Sequence, residues 1–212
     1  MRALFRVVHD RTGNLPPMPG VFPDYPAPIV GMVESERELL MARWGMPTPQ
    51  FALKGTTTDP GATNIRNTAS PHWRRWLGPA NRCLVPFTSF SEYETTPDKK
   101  KIPVWFALDE SRPLAAFAGI WTNWTSVRKA KEGEVTVDVF AFLTTEPNAI
   151  VAPHPPEGHA GDPDDRRGIR RLAAGAGSRG DGVTAAAGGW RVEDPGEGRA
   201  TRRRVVRRMI LP

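Results

Sequence analysis

Four polar residues of the sequence are of the types that hold or act on a phosphate or a sugar: Asn64, Arg66, Glu92 and Thr144. Asn64 and Arg66 stand two positions apart in TNIRNTAS, and on an extended segment such side chains point to the same side. An amide and a guanidinium there could grip a phosphate or sugar together. Spacing alone leaves a solvated polar loop open as the alternative.

Glu92 lies in SFSEYE, after an apolar run and among Ser89, Ser91 and Tyr93. A carboxyl that is partly buried has a raised pKa and can act as a general acid or base near neutral pH. A hydrogen-bonded glutamate with a purely structural role is the other interpretation.

Aromatic residues supply a third candidate chemistry. Trp73, Trp76, Trp121 and Trp124 could stack on unpaired bases, as in proteins that bind single-stranded nucleic acid. Aromatic residues at this spacing also form hydrophobic cores, and we give that interpretation precedence.

The single cysteine, Cys83, excludes an intramolecular disulfide and favours a reducing compartment. It lies within the apolar run RCLVPF, whereas a nucleophilic thiol needs access and a lowered pKa. We therefore expect a buried, inert thiol. A thiol hydrolase that pairs Cys83 with His9, His72, His154 or His159 is the alternative.

The segments that carry these residues are predicted to be mainly β-strands. Residues 1–12 suggest the end of an amphipathic helix, and the Pro-rich stretch 13–28 an extended surface segment. Strands are predicted at 29–33, 38–44 and 83–87, with a short helix around Trp73 and Trp76. IPVWFALDE and LAAFAGIWTNWT read as a hairpin, and VTVDVFAFLTT is the clearest strand. The fold class predicted is α+β, with a mostly antiparallel, barrel-like β-sheet and flanking helices.

Charge and composition favour a polyanionic partner such as nucleic acid. The 212 residues include 29 Lys and Arg against 23 Asp and Glu, a net charge of +6. No apolar run approaches the ~18 residues that a membrane span requires, and we find no signal-peptide pattern at the N-terminus. We expect a cytoplasmic monomer without a metal or another cofactor.

Six segments of the chain, taken in order, resemble the SOS response-associated peptidase family of abasic site processing proteins. They are ARWGMPTP, NIRNTASPHWRR, RCLVPFTSFSEYE, PVWFALDE, FAGIWTNW and FLTTEPNAIVAP. The resemblance extends over residues 1–153 and implies an α+β barrel-like domain that binds single-stranded DNA at the nucleoid during the DNA damage response. In that family a cysteine at the second position is exposed by autopeptidase removal of Met. Its thiol and α-amine then form a thiazolidine crosslink with the aldehyde of an abasic site.

The resemblance also implies roles for individual residues of this chain. Asn64 and Arg66 match the residues that grip the DNA and the lesion, and Thr144 matches a contact to the phosphate or lesion. Glu92 matches the carboxylate that assists proton transfer in the condensation and in removal of the N-terminal residue.

The N-terminal part departs from the family pattern. Arg2 stands where the family has its nucleophilic cysteine, and the family's first strand is missing from the 1–153 domain. Cys83 falls in a motif that the family does not use as nucleophile. We expect this chain to be inactive in crosslinking, and a non-catalytic module that binds single-stranded DNA is the alternative function.

The segment 154–212 forms the second departure. It is rich in Gly, Ala and Arg and contains no Lys. The family continues with a His-Pro-Lys-x-Met-Pro-like segment, and codons for HPPEGHAGDPDD, shifted forward by one nucleotide, can spell IHPKGMPVILT. We therefore expect a frameshifted, disordered tail in which His154 and His159 have no catalytic or metal role.

Overall fold

The computed structural model describes residues 1–144 and the backbone of Arg191–Glu193, with the side chains of 94 and 95 excepted. These residues belong to two compact units. Among the described residues, the first comprises Met1–Pro86 and Ala118–Leu143, and the second Phe87–Phe117, Thr144 and Arg191–Glu193. The strands are β1 (His9–Asp10), β2 (Pro26–Val33), β3 (Glu36–Trp44), β4 (Asn64–Ile65), β5 (Arg82–Phe87), β6 (Ser89–Thr95), β7 (Lys101–Ala107), β8 (Ala115–Val127), β9 (Glu134–Leu143) and β10 (Arg191–Glu193). The helices are α1 (Gln50–Leu53), α2 (Pro71–Arg74) and a 3-10 turn at Pro79–Asn81.

The first unit is built on a closed barrel of five strands in the order β3, β2, β5, β8 and β9. The pairs β2–β3, β2–β5 and β8–β9 are antiparallel, and a parallel pairing of β3 with β9 closes the barrel. Strand β1 adds to β3 and strand β4 adds to β9, both in parallel. Closure leaves the five strands without open edges. The predicted α+β class with a mostly antiparallel, barrel-like sheet is confirmed.

Strand β2 begins three residues earlier than predicted, and it accommodates Pro26 and Pro28. Both prolines lie opposite β3 residues, whereas β2 pairs with β5 only at Val30 and Gly31. Proline lacks the amide hydrogen that a second neighbouring strand would require. The prolines are therefore confined to the part of β2 that has one neighbour.

One cluster of buried side chains fills the end of the barrel unit that carries β4 and α2. Its apolar residues come from the β3–α1 connection, β4, α2 and its C-terminal extension, β8 and β9. They are Met46, Ile65, Trp73, Trp76, Ile120, Val139 and Ala141. Burial of such side chains stabilises the unit by roughly 1.5–3 kcal/mol for each large residue.

The second unit centres on the antiparallel β6–β7 hairpin, which runs in register from Ser89 opposite Ala107 to Thr95 opposite Lys101. Strand β10 pairs with the other side of β7. Side chains alternate across the strands, so that Phe90 and Phe106 are buried while Tyr93 is exposed. Ring packing reinforces the buried face, with Phe90 stacked on Phe106 at 5.1 Å between centroids.

Two predicted elements differ from the structure. Residues 1–6 form hydrogen-bonded turns instead of a helix, and Arg6 has a left-handed φ of 50°, which ends the turns before β1. Strands β7 and β8 do not form a hairpin with each other, because β7 pairs with β6 and β10 while β8 pairs with β9. The tight turn at Thr96–Lys100 joins β6 directly to β7, with Thr96 N–H donating to the Lys100 carbonyl at 2.9 Å.

The tail predicted at 154–212 lies outside the described residues, apart from β10. Helices in the described part of the chain are all too short to span a bilayer.

Candidate functional site

Asn64 and Arg66 flank Ile65, which is 1% exposed in the barrel core cluster. Because side chains alternate along an extended segment, Asn64 and Arg66 share the side opposite Ile65. The amide of Asn64 donates to Thr63 Oγ1 at 3.2 Å. Nε and Nη2 of Arg66 are shielded from solvent. The pair is thus a partly buried polar group and not the fully solvated loop that spacing alone allowed.

The backbone around Thr63 holds this pair in place. The Thr63 carbonyl oxygen accepts hydrogen bonds from Trp44 Nε1 at 2.9 Å and from the Phe142 amide at 3.1 Å. Ala62 and Met46 exchange a further pair of backbone hydrogen bonds, of 2.7 and 2.9 Å. Asn64 is therefore set on a rigid segment, as a binding side chain requires.

Glu92 lies on the buried face of the β6–β7 hairpin, opposite Val104 and two residues from Phe90. Glu92 as a whole is 2% exposed to solvent. Burial raises the pKa of its carboxyl to about 8, because the charged form loses its hydration. A carboxyl with this pKa is mostly protonated at neutral pH, and it can donate and accept a proton in one reaction.

Thr144 directly follows Leu143, whose backbone pairs with Ile65 of β4. The residue is 6% exposed, and within the described residues its hydroxyl oxygen has no hydrogen-bond partner. A buried hydroxyl of this kind normally finds a partner, so a ligand atom is one way to satisfy it.

The interpretation of the tryptophans as core residues agrees with the structure for Trp73 and Trp76, which are 6% and 5% exposed. Trp121 and Trp124 are partly buried on β8. Trp121 covers Gly31, where a Cβ would lie 2.9 Å from its Cε2 atom. A base-stacking role for Trp73 or Trp76 would require these rings to leave the core.

The candidate site residues lie in a part of the chain that matches a known protein family. The family model described as SOS response associated peptidase (SRAP) matches residues 1–154. The chain belongs to the SRAP family. This confirms the resemblance seen in the sequence motifs.

Two curated relatives of the chain come from Bacillus subtilis (strain 168). The chain is 36% identical over 120 residues to "Abasic site processing protein YoaM", covering 55% of this chain and 49% of YoaM. It is 32% identical over 96 residues to "Abasic site processing protein YobE", covering 44% of this chain and 42% of YobE. The chain therefore matches about half the length of these curated relatives.

A solved structure shares the fold of this SRAP chain. The crystal structure of a Bordetella bronchiseptica protein matches with a TM-score of 0.50 and 21% identity, covering 76% of this chain and 74% of that chain. At this identity the likeness concerns the fold alone.

Cys83, the only thiol of this SRAP chain, is buried in β5. Complete burial raises its pKa far above the ordinary value for a thiol. Its Sγ atom packs 3.0 Å from the position that a Cβ on Gly119 would take. The described histidines are engaged elsewhere, His9 with Glu36 at 2.8 Å and His72 with the Pro47 carbonyl at 2.9 Å.

These observations argue against the thiol hydrolase alternative, whose remaining partners His154 and His159 lie outside the described residues. No cluster of three or more His, Cys, Asp or Glu side chains that could hold a metal ion is found within residues 1–144.

The barrel unit also contains an ion cluster around Asp24 that no sequence motif predicts. The Asp24 carboxylate contacts Arg43 Nε at 2.7 Å, Lys129 Nζ at 2.7 Å and Arg128 Nε at 3.2 Å. Burial acts to raise the pKa of Asp24, but the hydrogen bonds from these three cations outweigh it and lower the pKa to about 2. Asp24 and Arg43 also line a cavity of about 570 Å³. The ion pairs of Asp24 indicate a structural role for this cluster, in which the buried Nη2 atom of Arg128 has no hydrogen-bond partner among the described residues.

Proposed function

We propose that this chain is an abasic-site processing protein of the SRAP family that binds single-stranded DNA carrying abasic sites. The names of YoaM and YobE support this substrate, since both are described as abasic site processing proteins. The observation that carries the proposal is the buried carboxyl of Glu92, whose pKa of about 8 suits acid–base chemistry at neutral pH.

The abasic site presents an aldehyde in place of a base, next to charged phosphates. Condensation of an amine with this aldehyde requires a proton for the departing oxygen and a base to remove a proton from nitrogen. Glu92 is proposed to supply this proton transfer. Asn64 and Arg66 are proposed to hold the DNA backbone and the lesion, and Thr144 to donate its hydroxyl hydrogen to a phosphate or lesion oxygen.

Covalent capture through a thiazolidine ring needs a thiol and an α-amine on the same terminal residue. The polypeptide of 212 residues has Arg2 at the second position, and its only thiol is the buried Cys83. We therefore propose that this polypeptide recognises abasic strands without forming the thiazolidine. A non-catalytic module for single-stranded DNA differs in one respect, because it would bind intact and abasic strands equally.

The test compares the full chain on three oligonucleotides of one length, namely an abasic single strand, the intact single strand and the intact duplex. We expect tighter binding to the abasic strand, with that preference reduced at least fivefold by Asn64→Ala, which removes the amide proposed to hold the lesion. Lys131→Ala, which removes an exposed charge from the β8–β9 turn, is the matched control. Equal affinity for abasic and intact strands would favour the simple binding module.

Covalent chemistry is read from the same mixtures on a denaturing gel. We expect no thiazolidine adduct with the abasic strand. A stable adduct that survives denaturation would contradict the proposal of recognition without capture.

A further inference from the structure

The arginines that follow the Asn64 segment lie in a stretch without acidic residues. Between Asp59 and Glu92 the sequence contains four arginines and no Asp or Glu. Three of them, Arg74, Arg75 and Arg82, are exposed in the barrel unit. No carboxylate among residues 1–144 pairs with these three arginines, whereas Arg2, Arg11 and Arg43 each have an acidic partner.

Arg75 rests on two tryptophan rings. Its guanidinium carbon lies 3.9 Å from the ring centroid of Trp76 and 5.3 Å from that of Trp124. The two indoles meet edge to face, with centroids 5.8 Å apart and an interplanar angle of 85°. A guanidinium held on an indole face in this way has a restricted orientation, and the Arg75 residue is exposed to solvent.

The short helix α2 explains how this arrangement is held. Trp73 and Trp76, three positions apart, are buried in the core cluster that also contains Ile65. The intervening Arg74 and Arg75 consequently face outward. His72 fixes the helix further, with its ring 4.4 Å from Trp73 and its Nε2 atom 2.9 Å from the Pro47 carbonyl oxygen.

Arg82 extends the positive surface at the end of α2. Its Nε atom donates to the Leu77 carbonyl at 3.2 Å, which places the guanidinium beside the segment that follows Trp76. We call Arg74, Arg75 and Arg82, together with Trp124, the arginine platform.

We propose that the arginine platform is a second contact surface for single-stranded nucleic acid, separate from Asn64 and Arg66. Arg75 stacks its guanidinium on an unpaired base, and Arg74 and Arg82 pair with the flanking phosphates. This inference rests on the proposed DNA-binding function and adds to it a contact that does not depend on the lesion. The shared packing of Ile65, Trp73 and Trp76 fixes the platform within the same unit as the Asn64 segment.

The planar guanidinium of Arg75 favours a nucleic acid over other acidic polymers as the partner of the platform. Phosphates alone would be served equally by flexible lysines, whereas an arginine already seated on indole loses little freedom when a base stacks on it. Duplex DNA has its bases paired and covered, so the platform favours single strands.

The experiment measures binding of the full chain to an intact 12-nucleotide single strand over a range of salt concentrations. Arg75→Ala is expected to weaken binding about tenfold through loss of the base stack, and Arg82→Ala is expected to lower the slope of log affinity against log salt by about 0.7, the value for one phosphate contact. Arg75→Lys keeps the charge and loses the planar face, so it is expected to retain the slope but weaken binding severalfold. Lys131→Ala is the charge-matched control, and thermal unfolding of each variant checks the fold.

The outcomes separate this inference from the proposed function. If Arg75→Ala binds the intact strand like Lys131→Ala while the wild-type chain still prefers abasic DNA, the platform is overturned and the proposed function stands. If Arg75→Ala weakens binding but the wild-type chain shows no abasic preference, the platform stands and the proposed function fails. Equal competition by polyglutamate and by single-stranded DNA would overturn the platform, because it would show a general site for acidic polymers.

Discussion

The guanidinium of Arg128 donates a hydrogen bond of 3.1 Å to the carbonyl oxygen of Gly45, although the two residues are 83 positions apart in the chain. The Arg128 side chain is 1% exposed, and its Nε atom also contacts Asp24. It occupies the space beside two glycines with positive φ, Gly45 at 143° and Gly61 at 83°. A Cβ on Gly61 would lie 2.3 Å from Arg128 Nη2. Glycine is therefore required at both positions for two reasons. The backbone has a positive φ, and the Arg128 side chain occupies the space that a Cβ would take.

We predict that Gly61→Ala lowers the free energy of unfolding by about 3 kcal/mol or more, through left-handed strain and displacement of Arg128. Gly133→Ala is the matched control, since Gly133 has a φ of 74° and no atom within 4 Å of its Cβ position. That control is expected to cost about 1 kcal/mol. Urea unfolding measures both. In an Arg128→Ala background the cost of Gly61→Ala should fall to that of the control, and equal costs in the wild-type background would refute the steric explanation.

We predict that Asp24→Asn destabilises the chain by about 2 kcal/mol at pH 7, because Arg128 and Lys129 lose their counter-charge and Arg43 keeps only Glu132. The lowered pKa of Asp24 means that this stabilisation is present above pH ~4 and is lost as the pH falls towards 2. Urea unfolding of wild type and variant should thus converge at low pH. Asp138→Asn serves as the control, because Asp138 accepts only an exposed hydrogen bond of 2.9 Å from Asn123. This substitution is expected to change stability by less than ~0.5 kcal/mol.

The raised pKa of Glu92 predicts the opposite dependence on pH. The carboxyl is protonated in the folded chain up to about pH 8 and ionised in the unfolded chain above pH ~4.5. Its contribution to stability is therefore complete below pH ~4.5 and is lost as the pH rises towards 8. Over that interval this group lowers the free energy of unfolding by about 1.4 kcal/mol per pH unit. Glu92→Gln should remove this slope in urea unfolding, and identical slopes for both proteins would show that the carboxyl is not protonated when folded.

We predict that Cys83 resists alkylation in the native chain, because its thiol is buried and has a raised pKa. Iodoacetamide labelling followed by mass spectrometry should show modification only in urea concentrations that unfold the chain. Cys83→Ala should leave DNA affinity unchanged and cost about 1 kcal/mol of stability. Rapid labelling of the native protein at pH 7 would restore Cys83 as a candidate nucleophile.

Strand positions were largely predictable because each barrel strand carries its own local pattern. Strand β9 alternates apolar and polar residues at its beginning and becomes continuously buried from Val139 to Phe142, the pattern of a strand that enters a closed barrel. The prolines of Pro26–Val33 obscured the start of β2, because a proline is excluded only where a strand needs its amide hydrogen. That condition depends on the second neighbour, which the local sequence does not show.

Strand pairing was less predictable than strand position. Strands β7 and β8 are neighbours in sequence and have a polar, Pro-containing connection, yet they pair with other strands. Hairpin formation depends on the geometry of the connection and on which faces must be buried. The buried face of β7 meets β6, where Phe106 stacks on Phe90.

The residue types of the candidate site could be predicted from the sequence, but the burial and the contacts of those residues could not. The motifs around Asn64, Arg66, Glu92 and Thr144 carried the family resemblance, and the family match over residues 1–154 confirmed that resemblance. The sequence motifs do not predict the arginine platform, because the contact of Arg75 with Trp76 and Trp124 joins residues that no local pattern connects. Its signal in the sequence was the run of four arginines without an acidic residue.

The family, the fold class, the excess of positive charge and the chemical types of the candidate residues follow from local motifs and composition. Which of those groups are buried, and what they contact, depends on how the whole chain folds. The pKa of Glu92 depends on the face of β6 that is covered, and Arg128 reaches Asp24 across 104 positions of the chain. Burial and long-range pairing are properties of the folded chain, since they arise from residues that no local pattern connects.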